Sequence, residues 1–183
     1  MLVGKSVTLR PLGIEDIDFF LKWFNNPEIT KFLLMYLPMT KLSEEKWLRE
    51  VAKKQEPVFT ILVNTPSERP PIGACGLHKI DQKDRRAEFG IVLGEKNAWG
   101  CGFAREAGEL LISYGFNSLN LHKIESAYIA TNIRSMRLHN KLGFLEEGRK
   151  RNHTFKEGQY RDMIIFGLLR EEWEQAKERK KKE

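Results

Sequence analysis

The stretch that most constrains the fold is Asn97–Glu106, which places two glycines between an apolar run and a helical pattern. The run before it, Phe89–Leu93, is typical of a strand, and apolar residues recur at helical spacing after it. Gly100 and Gly102 allow backbone N–H groups to approach a ligand without a Cβ in the way. A helix that begins at such a turn presents free N–H groups and the positive end of its dipole. The stretch therefore predicts a strand, a glycine turn and a helix, an arrangement that can bind a phosphate.

Two common phosphate-binding loops are disfavoured by the residues that follow these glycines. A P-loop requires Gly-Lys-Ser/Thr, but Gly102 is followed by Phe103 and Ala104. A dinucleotide fingerprint requires a small residue five positions after Gly100, where Arg105 stands. Because glycine pairs also occur in ordinary tight turns, the turn alone leaves phosphate binding open.

Composition predicts one domain over residues 1–183. A hydrophobic content of 41% and a charged content of 31% are typical of globular proteins. No apolar run approaches the roughly 18 residues of a membrane span, and the N-terminus lacks the apolar core of a signal peptide. Cys75 and Cys101 lie far apart and form no metal-binding motif. We therefore expect a cytoplasmic protein with reduced thiols, no metal and no membrane contact.

The positive charge of the chain is concentrated at its C-terminus. Lys177–Glu183 contributes +3 of the net charge of +6, from five basic and two acidic residues. Charge at a frayed helix end is poor evidence for nucleic-acid binding, and no basic-aromatic recognition motif accompanies it. We expect no direct binding of nucleic acid, while a ribosomal or RNA-bound partner for this basic tail stays open.

The hydrophobic pattern predicts an α/β fold with a mixed, mostly antiparallel sheet and helices. Strands joined by short turns are expected to pair antiparallel, and the two that flank the glycine-turn helix to pair parallel. The predicted strands are Ser6–Arg10, Val58–Val63, Ile72–Ile80, Ala87–Leu93, Lys123–Ala130, one strand before a turn at Lys156–Gly158, and Met163–Leu169. The predicted helices are Ile14–Phe24, one capped by Ser43, one after the glycine turn, Ser135–Leu142 and Glu171–Lys181.

Two further segments carry no regular pattern. Ile29–Met39 contains aromatic and aliphatic residues without a clean period. It fits either a loop packed on the core or a lid on the substrate side of a site. Asn64–Pro71 has the composition of a turn.

Several motifs resemble the GNAT superfamily of N-acetyltransferases. The family signature, Gln/Arg-x-x-Gly-x-Gly/Ala, is similar to Asn97–Gly102, with Asn in place of Gln or Arg. A second family block, Asn-x-x-Ser/Ala followed by Lys-x-Gly-Phe, stands as Asn132–Ser135 and Lys141–Phe144. Glu146–Gly148 and Gly158–Asp162 resemble the branch that acetylates the N-termini of ribosomal proteins at alanine or serine. The resemblance runs from about residue 6 to residue 173.

The resemblance implies the GNAT fold, with about seven strands, helices on both faces of the sheet and a splay between the fourth and fifth predicted strands. It implies acetyl-CoA as cosubstrate, with its pyrophosphate on the backbone of Asn97–Ala104 and its pantetheine arm along Ile91–Leu93. Asn132 and Ser135 would contact the thiol end of CoA. The implied CoA-binding residues are Ile91, Val92, Leu93, Asn97, Trp99, Gly100, Cys101, Gly102, Phe103, Ala104, Asn132 and Ser135.

Acetyl transfer to an amine calls for a base and for a donor to the leaving thiolate. Glu88 is the first candidate base, because it shares strand parity with Gly90 and Val92; the alternative is an ion pair with a neighbouring arginine. His139 stands where many family members carry a tyrosine that acts as general acid, and Ser135 is a second hydroxyl donor. Cys101 is a less favoured nucleophile, because direct transfer needs no covalent intermediate.

The function expected from the resemblance is acetyl transfer to a primary amine, foremost a protein N-terminal α-amine of the ribosomal type. A polyamine acceptor such as spermidine or spermine is the first alternative, and an antibiotic-like small amine is the next. The polyamine alternative predicts an acidic groove, for which Asp81, Asp84, Glu88 and Glu125 are candidates. A non-catalytic CoA-binding module is an alternative of a different class. A homodimer is expected by family habit only.

Overall fold

Eight strands form one sheet in this computed structural model, which describes residues 1–65 and 70–182. The strands are β1 (Leu2–Val3), β2 (Val7–Pro11), β3 (Val58–Val63), β4 (Pro71–Asp81), β5 (Arg86–Leu93), β6 (Lys123–Ile129), β7 (Leu145–Lys156) and β8 (Gln159–Leu169). Their spatial order is β1-β2-β3-β4-β5-β6-β8-β7. Strands β5 and β6 pair parallel, and the other neighbouring pairs are antiparallel. The predicted mixed, mostly antiparallel sheet is therefore confirmed.

Six helices accompany the sheet in the part of the chain that the structure describes. They are α1 (Ile17–Phe24), α2 (Pro27–Thr30), α3 (Lys41–Lys54), α4 (Phe103–Asn117), α5 (Ile133–Leu142) and α6 (Arg170–Lys182). Short 3-10 turns precede α1 and α4, at Ile14–Asp16 and Lys96–Ala98. The predicted order of elements is correct, and the structure adds β1 and α2, which are too short to produce a hydrophobic period.

The beginning of α3 differs from the prediction. The cap is Thr40, whose hydroxyl accepts a hydrogen bond from the Ser43 N–H at 3.2 Å, while the Ser43 hydroxyl accepts from the Thr40 N–H at 2.9 Å. Ser43 thus occupies the third helical position, and the two residues satisfy each other's backbone donors. The predicted turn at Asn64–Pro71 and the end of the basic tail lie partly outside the described residues.

Helices cover both faces of the sheet, as predicted. Helix α4 packs Leu111, Ile112 and Phe116 against a large core of sheet residues on one face. A smaller cluster on the other face joins Phe20 and Trp23 of α1 to the middle of β4. Burial on both faces explains why the central strands are apolar runs without alternation.

The sheet opens between β5 and β6. Only Arg86–Glu88 and Lys123–Glu125 are paired between these strands, although both strands continue. Where they part, the hydroxyl of Ser126 on β6 lies 3.2 Å from the carbonyl oxygen of Phe89 on β5. The splay expected from the resemblance is therefore present. Beyond Glu88, the side of β5 that faces β6 has no strand partner, while its other side stays paired with β4.

Candidate active site

The unpaired edge of β5 is centred on Ile91. Alternate residues of a strand direct their backbone groups to the same neighbour, and the Phe89 carbonyl faces β6. The N–H and C=O of Ile91 therefore point into the gap as well. Two residues further along, the Leu93 carbonyl accepts a hydrogen bond from Nε1 of Trp99 at 3.0 Å. Of Ile91, Val92 and Leu93, it is therefore Ile91 and Leu93 whose backbone N–H groups face the gap, and Ile91 lies nearer its centre.

The glycine turn next to this gap is open to a ligand. Gly100 has φ +82 and Gly102 has φ +86, which are left-handed values that glycine adopts without strain. A Cβ built on either glycine meets nothing within 4 Å, so the space in front of the turn is empty of protein atoms. Helix α4 begins directly after Gly102, and its first N–H groups have no intrahelical acceptor. The turn therefore fits a diphosphate group.

Trp99 and Arg134 join the glycine turn to its surroundings. The Trp99 indole binds the end of β5 through Leu93, and the Arg134 guanidinium lies 4.3 Å from the centre of the indole ring. Cys101 is exposed, and its Sγ lies 3.7 Å from the carbonyl oxygen of Asn97 within the same turn. The first turn of α4 follows at Phe103 and Ala104. These residues hold the shape of the turn.

The start of α5 faces the gap from the β6 side. Asn132 caps this helix, because its Oδ1 accepts a hydrogen bond from the Ser135 N–H at 3.0 Å. Both residues line the cavity described below. The second family block therefore produces a helix cap that opens onto the splay.

His139 is buried one turn further along α5, with 2% of its surface exposed. Its Nδ1 lies 2.8 Å from the Ser135 carbonyl oxygen, which can only accept, so Nδ1 carries the proton. Its Nε2 lies 2.7 Å from the Ser126 hydroxyl oxygen, which also lies 3.2 Å from the Phe89 carbonyl oxygen. Burial lowers the pKa of His139, so the neutral ring is favoured. The general-acid role of His139 stays a prediction.

A cavity of about 680 Å³ lies at the splay. The sheet contributes Gly90, Ile91 and Val92, and the α5 side contributes Asn132, Ser135 and His139. The loop between α2 and α3 contributes a third, apolar wall that includes Phe32, Met35 and Leu37. Asn25 hydrogen-bonds the backbone of Met39, and Lys156 Nζ lies 2.5 Å from the Met35 carbonyl oxygen. The segment that the sequence left open between packed loop and lid therefore lines a site.

Comparison with known proteins identifies the family of this chain. A model of the acetyltransferase (GNAT) domain matches residues 6–145. The chain belongs to the GNAT acetyltransferase family. It is therefore an acyltransferase, and acetyl-CoA is its cosubstrate, as the resemblance implied.

Relatives of this acetyltransferase differ in their described acceptors. The uncharacterised N-acetyltransferase p20 of Bacillus licheniformis is 37% identical over 177 residues, 94% of this chain and 97% of that protein. The putative ribosomal N-acetyltransferase YdaF of Bacillus subtilis is 34% identical over 105 residues, 57% of each chain. The crystal structure of spermidine N-acetyltransferase from Vibrio cholerae, in complex with CoA and spermine, has a TM-score of 0.86 and 27% identity. That match covers 93% of this chain and 99% of the other.

Glu88, the base suggested by sequence, lies outside the cavity lining of the acetyltransferase. Its side chain is 48% exposed, and its Oε1 lies 2.9 Å from Lys79 Nζ. The alternative of an ion pair is therefore observed, although the partner is Lys79 rather than an arginine. The base role of Glu88 stays a prediction.

The acidic groove expected for polyamines is not formed at the cavity. Arg86 lies 3.3 Å from Glu125, 3.6 Å from Asp81 and 3.8 Å from Asp84. None of these carboxylates lines the cavity in the described part of the chain. Their charge is instead balanced at the β4–β5 turn, close to the paired end of β5.

Sequence reasoning missed His78 and Glu56. His78 lines the cavity, and its Nδ1 lies 2.8 Å from Oε2 of Glu56. The other carboxylate oxygen of Glu56, Oε1, accepts a hydrogen bond from the Lys79 N–H at 3.1 Å. Burial opposes ionisation of Glu56, but these hydrogen bonds outweigh it and lower its pKa. A Cβ built on Gly90 would lie 3.5 Å from Nε2 of His78, which places the free edge of the ring against β5.

Sequence reasoning also missed Glu44, which belongs to the first turn of α3 and lines the cavity. It is 1% exposed, and burial raises its pKa. Neither Glu44 nor the His78–Glu56 pair belongs to a local motif, although Glu44 sits three residues before Trp47 on an apolar helix stripe. That stripe is the signal that could have indicated its burial.

In the described part of the chain, no helix is long and apolar enough to span a membrane. Among the same residues, no group of three or more His, Cys, Asp or Glu side chains is placed to hold a metal ion.

Proposed function

We propose that this acetyltransferase acetylates the N-terminal α-amine of a protein. The observation that carries the proposal is the apolar cavity at the splay, open beside Ile91 and lined by a histidine that a carboxylate holds in place. An α-amine has a pKa of about 7.7–8.0, against about 10.4 for a lysine. It therefore needs only a weak base such as an imidazole to reach its reactive neutral form.

His78 is the base in this proposal. The Glu56 carboxylate accepts from Nδ1–H, which leaves Nε2 as the acceptor for a proton from the incoming amine. Glu56 would also stabilise the imidazolium that forms, because its own lowered pKa keeps it ionised. The pair thus combines proton acceptance and orientation within one wall of the cavity.

The glycine turn and the remaining groups of the cavity suit the donor side of the reaction. Acetyl-CoA supplies the acetyl group as a thioester. The glycine turn at Gly100 and Gly102 would hold the diphosphate, and the Ile91 N–H would donate to the carbonyl oxygen as negative charge develops there. Ser135 would hydrogen-bond the departing sulfur, because His139 Nδ1–H lies 3.3 Å from its oxygen and leaves the hydroxyl proton free.

A polyamine acceptor is the second candidate. The likeness to spermidine N-acetyltransferases favours it, since the Escherichia coli enzyme is 29% identical over 92% of this chain. The ion-paired state of Asp81, Asp84, Glu88 and Glu125 weighs against it, because these carboxylates are the ones that would have formed an acidic groove. A ribosomal-protein acceptor and a homodimer remain predictions of the α-amine proposal.

An acceptor panel tests the proposal. Thiol release from acetyl-CoA is measured with peptides that carry a free α-amine, with the same peptides N-terminally blocked but containing lysine, and with spermidine and spermine. We expect free α-amines to be acetylated and blocked peptides not to be. Preference for spermidine or spermine over every peptide would replace the α-amine proposal with the polyamine one.

A further inference from the structure

Glu44 is a buried carboxylate without a complete set of partners. It is 1% exposed, and its Oε2 has no hydrogen-bond partner among the residues that the structure describes. The side chain lies in the first turn of α3, where it lines the cavity at the splay. Leaving a buried carboxylate oxygen unsatisfied costs free energy that folding alone does not recover. The position is therefore suited to a cation that arrives with a ligand.

The rest of this cavity wall offers little else to a charged ligand. Aromatic and aliphatic side chains line the same cavity as Glu44, among them Phe20, Phe24, Met39 and Trp47. Across the described lining, Glu44 is the single carboxylate, and no lysine or arginine lines the cavity. Residues 31–40, which form the loop wall, include no acidic residue. The cavity thus provides one negative group within an apolar surface.

We propose that Glu44 binds the ammonium group of an acceptor that carries a single positive charge on an apolar body. Glu44 holds this nitrogen in its protonated form on binding, and the same nitrogen loses its proton to His78 before it attacks the thioester. A protein N-terminus with an apolar first side chain fits this description, as does an alkyl- or arylamine. The inference rests on the proposed transfer to a primary amine and names the acceptor class of the same cavity.

The single carboxylate of the cavity discriminates against polyamines, because these carry more than one positive charge. A monoamine places its one charge on Glu44 and its methylene groups on the apolar wall, which buries them from water. A diamine of equal length carries a second ammonium into surroundings that hold no second carboxylate. Burying that ammonium unpaired is costly. Selectivity therefore comes from the absence of a second anion as much as from the presence of Glu44.

Hexylamine and 1,6-diaminohexane test this inference as a pair of equal length. Their binding is measured by calorimetry on protein saturated with CoA, where no acetyl group is available for turnover. We expect hexylamine to bind at least about tenfold more tightly, and Glu44→Gln to weaken it about tenfold or more. Glu50→Gln, an exposed glutamate on the same helix, is the matched control and should change neither affinity. CoA affinity should be equal in all three proteins.

The outcomes separate this inference from the proposed function. Equal or tighter binding of the diamine, unchanged binding in Glu44→Gln, or no binding of either amine would overturn the inference. Thiol release from acetyl-CoA is then measured with hexylamine and with the peptide panel. Binding that depends on Glu44 without any turnover would support the acceptor site and refute the transfer to α-amines. Turnover of peptides without dependence on Glu44 would support the transfer to α-amines and refute the acceptor site.

Discussion

His78 and Glu56 form a hydrogen-bonded pair in the cavity wall, with Nδ1 of the histidine 2.8 Å from Oε2 of the glutamate. The two residues are 22 positions apart and lie on different sides of β3 in the chain. Glu56 follows α3, and His78 is near the end of β4. The contact orients the His78 ring within the cavity wall, and no local motif encodes it.

The first prediction concerns the base. His78→Gln should lower kcat with an α-amine peptide about 100-fold, because general-base catalysis contributes about 100- to 10,000-fold. Steady-state kinetics with saturating acetyl-CoA measures the effect, and CoA affinity should be unchanged.

Glu88→Gln tests the alternative that Glu88 is the base. The Glu88 carboxylate is half exposed and paired with Lys79, so its neutral variant should keep kcat within about twofold. A large loss in Glu88→Gln, greater at low pH than at high pH, together with an active His78→Gln, would return the base role to Glu88.

A second prediction concerns the glycine turn. Gly102→Glu should abolish measurable CoA binding, because the added carboxylate would occupy the open space in front of the turn and repel a diphosphate. Gly158→Glu provides the control, since Gly158 has φ +77 and equally open surroundings in the β7–β8 turn. Both variants should lose about 1–2 kcal/mol of stability from the left-handed backbone. Calorimetric titration with CoA should detect binding in the control only, and retained affinity in Gly102→Glu would refute the diphosphate site.

A third prediction links Glu44 to stability. Burial raises the pKa of Glu44, so the ionised form opposes folding, and stability is lost as pH rises through the carboxyl range. Glu44→Gln should therefore raise Tm at pH 7 by about 3 °C, corresponding to about 1 kcal/mol, and should leave it unchanged near pH 4. His78 and His139, the other ionisable groups of the lining discussed above, are common to both proteins. Thermal unfolding at the two pH values measures the difference, and an equal or lower Tm at pH 7 would contradict it.

A fourth prediction concerns His139. Burial lowers its pKa, so this group stabilises the fold above the ordinary histidine pKa of about 6.5, and that stability is lost as pH falls below it. Because it removes the titrating group, His139→Gln should reduce the fall in Tm between pH 7.5 and pH 5.5. The exposed His153→Gln serves as the comparison and should behave like the unmodified protein. An identical fall in all three proteins would show that His139 is not held neutral.

The sequence by itself determined the elements whose causes are local. The glycine turn at Asn97–Gly102 follows from two left-handed positions two residues apart, and the Asn132–Ser135 cap follows from one side chain and a nearby backbone donor. Periodicity then placed the central strands and the long helices, since burial on one or both faces leaves a regular pattern. These local signals were sufficient for the family and the fold, while the CoA contacts that they indicate stay predictions.

Only the tertiary structure decided the acceptor side. Glu44, Glu56 and His78 look like surface residues in the sequence, because a charged or polar side chain on a helix or near a strand end is usually solvated. Their environment depends on α1, the loop after α2 and the middle of β5, which are distant in the chain. Glu88 shows the converse, since it shares a strand face with Gly90, which lines the cavity, while Glu88 itself lies outside the lining and pairs with Lys79. Burial and pairing are properties of the neighbours that folding brings together, and a linear pattern does not contain them.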